Sequence, residues 1–264
     1  MKAIFAIGLL LGAAAVFARP ASAADEVSWT DTLIVSGEHS DLSAGDDGQS
    51  GAVGWLRSSA AGSTVIIGAA AHSLADSRWR LLQAGGSHPV ARGITLYGEV
   101  NVGDGREAGV RFKYFVADLG ASRALTERLR LRFEHRSIDI GGTRGHLPKL
   151  GFSVALRPEL VADVAIAESY SGNLDTRVFS GRLDYRVRRT GFFAGIARGR
   201  SKSAVFDFPE GDPTVERELE QVFVGLAVPL PSAELQLVFD RLRLEDVDRR
   251  TWTLSVKLPL RRTR

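Results

Sequence analysis

The chain has 264 residues, with 34 Lys+Arg against 31 Asp+Glu, five His and no Cys. Without cysteine there is neither a disulfide framework nor thiolate chemistry, so stability must come from packing and backbone hydrogen bonding. The basic excess is slight, and two of its cations, Lys2 and Arg19, fall in a segment expected to be removed, so the charge makes no case for a nucleic-acid partner.

Residues 1–24 read MKAIFAIGLLLGAAAVFARPASAA. A charged start at Lys2, an apolar run from Ala3 to Phe17 and the small-x-small site Ala21-Ser22-Ala23 predict a secretory signal peptide, 1–23, cleaved after Ala23. Residues 24–264 then form a single domain, since no linker or shift of composition divides them. No apolar run approaches the roughly 20 residues of a membrane helix. A transmembrane β-strand is less demanding: about 9–11 residues, apolar on one face only.

From residue 26 onward the chain keeps a period of two. Ile94, Leu96, Val100 and Val102 oppose Thr95, Tyr97, Glu99 and Asn101. After Gly103-Asp104-Gly105, Val110, Phe112, Tyr114 and Val116 oppose Arg111 and Lys113. Leu129, Leu131 and Phe133 face away from Arg130, Arg132 and Glu134. Phe179, Leu183, Tyr185 and Val187 alternate with Arg182, Asp184, Arg186 and Arg188, and Trp252 to Leu260 alternate with Thr253, Ser255 and Lys257. A helix would spread those cations around its circumference, so strands fit better. The pattern predicts about fourteen strands, with twelve as the lower count, near 26–38, 51–59, 63–73, 77–87, 92–103, 107–118, 127–137, 147–157, 161–170, 176–188, 191–203, 218–229, 233–244 and 250–260. Residues 121–130 are the only helical candidate. Breaks of phase near His135–Ile138 and Arg241–Leu242 read as bulges or as exits from a membrane.

The longer polar links, 43–51, 139–148 and 201–216, all join an odd strand to the next even one and so share one end. Most links at the other end, such as 157–159 and 188–191, are short; 119–126 is the exception. An even count of similar strands, long loops at one end and an export signal predict an all-β fold: an antiparallel up-and-down transmembrane β-barrel, with every backbone group paired by closure. The alternative is a periplasmic β-sandwich binding protein, which would bury the same apolar faces. Trp29, Trp55, Trp79, Tyr97 and Trp252 are candidates for interfacial aromatic girdles.

With apolar residues turned to lipid, the lumen wall is expected to include Glu99, Arg111, Lys113, Arg130, Arg132, Glu134, Arg182, Asp184, Arg186 and Arg188. An Arg-rich wall of mixed sign suits a passive porin-like channel biased towards anions. The triplets Arg132–Glu134–Arg136 and Arg182–Asp184–Arg186 would equally suit self-paired charges in a closed structural barrel. A lipid-modifying enzyme is the less favoured reading. His39-Ser40 beside Asp41 and His72-Ser73 near Asp76 suggest it locally, but neighbouring strand residues point to opposite faces. No GxSxG, HExxH or paired-carboxylate motif occurs. The SAGDDGQSG stretch has calcium-friendly composition but not the spacing, so neither metal nor cofactor is expected.

The segments GWLRSSAAGSTVIIGAA (54–70), ARGITLYGEVNVG (91–103), LRLRFEHRSIDI (129–140) and GRLDYRV (181–187) resemble Gram-negative outer-membrane β-barrels, and the YaiO-like group among them. The resemblance implies residence in the outer membrane among its lipid and lipopolysaccharide. It also implies an encounter with the outer-membrane insertion machinery and a partnership with surface-polysaccharide machinery. It carries over no active residues. Barrels of this kind usually end in Phe or Trp; here the last residue is Arg264, and Trp252 is the nearest such aromatic.

Overall fold

Alternating segments joined by tight turns leave each strand with two unpaired edges, and the chain resolves them by pairing every strand with its neighbours in sequence. The computed structural model describes residues 29–43, 47–74, 77–107, 109–172, 176–201, 217–244 and 247–260. The expected signal peptide and nearly all of the long link 201–216 lie outside these residues. The strands are β1 (Trp29–Leu42), β2 (Gly48–Ser59), β3 (Thr64–Leu74), β4 (Ser77–Ala91), β5 (Ile94–Glu107), β6 (Val110–Ala124), β7 (Leu129–Ile140), β8 (Thr143–Arg157), β9 (Leu160–Glu168), β10 (Ser171–Gly172), β11 (Thr176–Val187), β12 (Thr190–Ser201), β13 (Arg217–Pro229), β14 (Glu234–Leu244) and β15 (Val247–Leu260).

Consecutive wall strands pair antiparallel, β9 with β11 past the dipeptide β10, and β1 closes on β15 from Asp31↔Leu260 to Leu42↔Arg249. The dipeptide β10 prolongs β9 along the same neighbour, β8, so the wall is a closed barrel of 14 strands. Closure removes the sheet edges that would otherwise expose unpaired backbone groups. No helix occurs among the described residues: the expected helical stretch 121–130 divides between β6, a turn at 125–128 and β7.

Two expectations about links need correcting. Residues 139–148 are not a long loop. Gly141 and Gly142 both have positive φ (58° and 92°), as a type I′ hairpin requires, so a two-residue turn joins β7 to β8 and its polar neighbours continue the wall. The breaks of phase at 135–138 and 241–242 are not bulges either, since pairing runs through both without interruption. The register shifts lie elsewhere, at Pro89/Ala91 and Ala155/Arg157.

What changes at those breaks is side-chain chemistry. In β4, Trp79 and Leu81 point inward opposite outward Arg78 and Arg80, yet two residues on, Gln83 is inward and Leu82 outward. Similarly, β7 turns Arg132, Glu134 and Arg136 inward along its middle but Ile138 and Ile140 inward near its loop end. Strands of up to 15 residues are longer than a bilayer needs, and their ends stand in water on the outside. There the outer face becomes charged and apolar groups retreat inside. Over the middle of the wall the outer face is apolar, with Val35, Val53, Ile67, Leu82, Leu119, Phe133 and Val224 among its exposed residues.

Candidate functional site

Strand alternation delivers two kinds of wall to the interior, on opposite sides. From β5 to β11 the inner face is charged. Arg136 on β7 forms a two-point pair with Asp118 on β6, Nε to Oδ1 at 2.7 Å and Nη2 to Oδ2 at 3.0 Å. Arg132 donates to Asp163 of β9 at 2.7 Å, and the same carboxylate oxygen accepts from Ser153 of β8. Lys149 approaches Glu134 at 3.9 Å, and Arg130 donates to Ser122. Arg182 and Asp184, two residues apart on β11, form a second two-point pair at 2.7 and 2.6 Å. A guanidinium and a carboxylate with planes matched in this way make strong charge-assisted bonds.

Across the barrel the wall mixes uncharged polar groups with small and aliphatic ones such as Ile34, Ala52, Ala70 and Leu81. Its charges are few: Glu38, Lys257 and, nearer the loop end, Asp240 and Arg249. Ser36 and Glu38 of β1, Gln83 of β4, Asn101 of β5, Gln236 of β14 and Thr253, Ser255 and Lys257 of β15 face a common space of about 810 Å³ that includes its open mouth. Lys257 is held by Glu234 at 2.7 Å, and Asn101 donates to Glu99 at 2.8 Å. Gln83 is 7% exposed, and its Nε2 has no hydrogen-bond partner among the described residues. Nearer the loop end, Ser40 and Thr251 share a buried hydrogen bond of 2.9 Å, and Gln221 donates to Asp240.

One sector of the loop end is filled by apolar groups. Trp79, Leu81, Tyr114, Val116 and Ile140 cluster inside, with Phe112, Ile138 and Leu42 packed against them, and Ile140 is 0% exposed. His72 stacks on Trp79 with ring centroids 5.1 Å apart. This cluster narrows the lumen on the β3–β7 side. Trp79 and Tyr97, candidates for the aromatic girdle, therefore belong to the interior; Tyr97 donates to the Phe133 carbonyl. Trp29, Trp55 and Trp252 share the outward parity of β1, β2 and β15.

Of the expected lumen residues, Glu99, Arg130, Arg132, Glu134, Arg182, Asp184 and Arg186 share the parity of the buried inner face. Arg111 and Lys113 do not. They stand exposed on the outward parity of Phe115 and Leu119, while Phe112, Tyr114 and Val116 turn inward. The cause is the change of outer environment where β6 leaves the bilayer, which reverses the usual meaning of an apolar face. Arg188 is not on a strand: β11 ends at Val187, and Arg188 begins the turn to β12 with φ 54°.

The histidine–serine pairs are not brought together. Ser40 is inside, whereas His39 is outside, 2.9 Å from Asp41. His72 is inside and Ser73 outside. His39, Asp41 and Asp47 do bring one ligand atom each within 4.8 Å of one another, all three exposed. The uncharged polar groups of this wall escaped the sequence reading, which weighed only charges. Their signal was present in the Ser, Thr and Gln that alternate with the apolar residues of β1, β14 and β15.

A closed antiparallel barrel of 14 strands, apolar over its outer middle and polar within, defines a transmembrane β-barrel of outer-membrane type. Among solved structures the chain is similar to the CymD monoaromatic hydrocarbon channel, with a TM-score of 0.61, 10% identity, and 91% of this chain and 90% of that one covered. A deltaS2S3 mutant of the TodX monoaromatic hydrocarbon channel gives 0.60 at 12% identity, covering 89% and 91%. A bacterial polysaccharide outer membrane secretin gives 0.52 at 10% identity, covering 88% and 98%. At these identities the likeness is one of fold. No family model and no curated protein matches the chain.

Proposed function

We propose that the chain is a passive diffusion channel of the Gram-negative outer membrane, for small polar solutes, with a mixed-charge lumen. The observation that carries this reading is the set of Ser, Thr, Gln and Asn side chains that stand among Ile34, Ala52, Ala70 and Leu81 around the interior space, since they both donate and accept hydrogen bonds to a solute or its water. The inner arginines do not favour anions strongly, because Asp118, Asp163 and Asp184 neutralise Arg136, Arg132 and Arg182 in place. A lumen that balances its own charge selects weakly by sign. The hydrocarbon channels with the same fold name a different cargo. A path of that kind is less favoured here: Ile34 and Leu81 do line the space, but Trp79, Tyr114, Val116 and Ile140 pack against one another at the loop end.

A closed structural barrel is the second reading, favoured by the same ion pairs and by the apolar cluster at the loop end. Membership of the YaiO-like group and a partnership with surface-polysaccharide machinery belong with this proposal as expectations of the sequence. The likeness to a polysaccharide secretin is a reason to test such a partnership, and the fold alone does not carry it. The test is single-channel recording of the refolded protein in a planar bilayer, with liposome swelling by small neutral sugars. Discrete steps and swelling support the channel; insertion with neither overturns it in favour of the closed barrel.

A further inference from the structure

The outer faces of β4, β5 and β6 carry three rows set by register. Next to the loop end, Arg78 pairs with Arg106, and Arg106 with Arg111. The second row is Arg80, Asp104 and Lys113, and the third is Leu82, Val102 and Phe115. All nine side chains are exposed. None of the five cations makes an ion pair among the described residues, and Asp104 is the single anion set between them. On the flanking strand β7, Asp139 is engaged by Arg144 at 2.9 Å.

Like charges directly opposite one another on a sheet repel, so three arginines abreast without a carboxylate leave the wall short of a counter-anion. Each row lies about 7 Å below the last, two residues along a strand. The surface therefore passes from cationic to apolar within one step. Below the third row it continues through Ala84, Val100 and Ala117, small enough to leave a shallow strip beside Leu119, which is 66% exposed. A free anion would use only the two upper rows. An amphiphile with phosphate at its head and acyl chains beneath would use all of them.

We infer that this face binds a phosphate-bearing acylated glycolipid of the outer leaflet, with Arg78, Arg106 and Arg111 receiving phosphate and the Leu82–Val102–Phe115 row receiving acyl chain. The inference rests on the membrane-barrel reading with the loop end outward, and not on whether the lumen conducts. Arginine suits the role because its planar fork binds phosphate oxygens at two points.

The test uses the refolded full chain in detergent with an acylated glucosamine disaccharide carrying two phosphates, its dephosphorylated form, and inorganic phosphate, read by native mass spectrometry and thermal shift. The bisphosphorylated lipid binds, and Arg106→Ser with Arg111→Ser weakens it at least about tenfold, since each charge-assisted bond is worth that much. Arg198→Ser with Arg200→Ser, an equal loss of charge on the outer face of β12, leaves binding unchanged. Without lipid, the Arg106→Ser, Arg111→Ser variant melts higher than the parent because the repulsion is relieved. Equal binding of the dephosphorylated lipid, equal loss in both variants, or displacement by millimolar phosphate would overturn the inference. Failure of the protein to enter detergent or lipid would instead sink the membrane reading beneath it.

Discussion

Phe193 on β12 lies flat over Gly225, its cross-strand partner on β13, and Phe223 on β13 lies over Gly195 on β12. The exchange is reciprocal: a Cβ on either glycine would overlap the ring that covers it. The two rings are 6.4 Å apart, and Arg182 rests 4.7 Å above Phe193. Aromatic cover of strand glycines secures register, and here it also supplies the platform on which Arg182 meets Asp184.

Gly225→Ala should therefore destabilise the barrel by about 1–3 kcal/mol, the usual cost of overpacking a filled site. Urea unfolding in detergent micelles measures it. Combining Gly225→Ala with Phe193→Ala should cost less than the sum of the single changes, because the ring that clashes is gone. Strict additivity would show that the ring and the glycine are independent.

The Arg136–Asp118 pair joins β6 to β7 at a directly opposed position, with both side chains largely shielded from solvent. Asp118→Asn leaves the guanidinium without its counter-charge and should cost about 1–3 kcal/mol. Placing Asp118→Arg and Arg136→Asp together should recover most of that loss. If the swapped protein unfolds as early as the single variant, geometry rather than charge holds the pair.

Trp79 is the largest side chain of the apolar cluster inside the loop end, and it supports the His72 ring. Trp79→Ala should cost about 3–5 kcal/mol through the cavity it leaves. It should also raise single-channel conductance, because the narrowing is built from this side chain and its neighbours. Unchanged conductance in a folded Trp79→Ala barrel would place the constriction elsewhere.

Much of the wall was legible in the sequence, because a period of two survives any error in strand ends. The fourteen predicted segments each fall on an observed wall strand. What misled was the assumption that one face keeps one chemistry along a whole strand. Phe112, Tyr114 and Val116 look like lipid-facing residues, and in mid-bilayer they would be. They keep the inward parity that Asp118 and Ser122 hold further along β6 and meet Trp79 and Ile140, while Arg111 and Lys113 take the watery outside where the strand leaves the bilayer. Register alone could not reveal this, since the phase never changes. Nor could alternation reveal that Arg132 would find its carboxylate two strands away at Asp163, a contact across the sheet rather than along it.

The last prediction concerns ion selectivity. Because Arg182 is matched by Asp184, and Arg132 and Arg136 by Asp163 and Asp118, a salt gradient should give a reversal potential close to zero. Arg182→Glu with Arg186→Glu removes two cations from the inner face of β11 and adds two carboxylates beside Asp184. The reversal potential should then move clearly towards cations, and the shift should shrink as salt rises, because screening shortens the reach of the wall's field. The same pair of changes on the outer face, Arg198→Glu with Arg200→Glu on β12, should leave selectivity near its starting value. Equal shifts from both pairs would mean that ions read the charge of the whole barrel rather than that of its inner wall. No shift from either would place the conducting path away from β11.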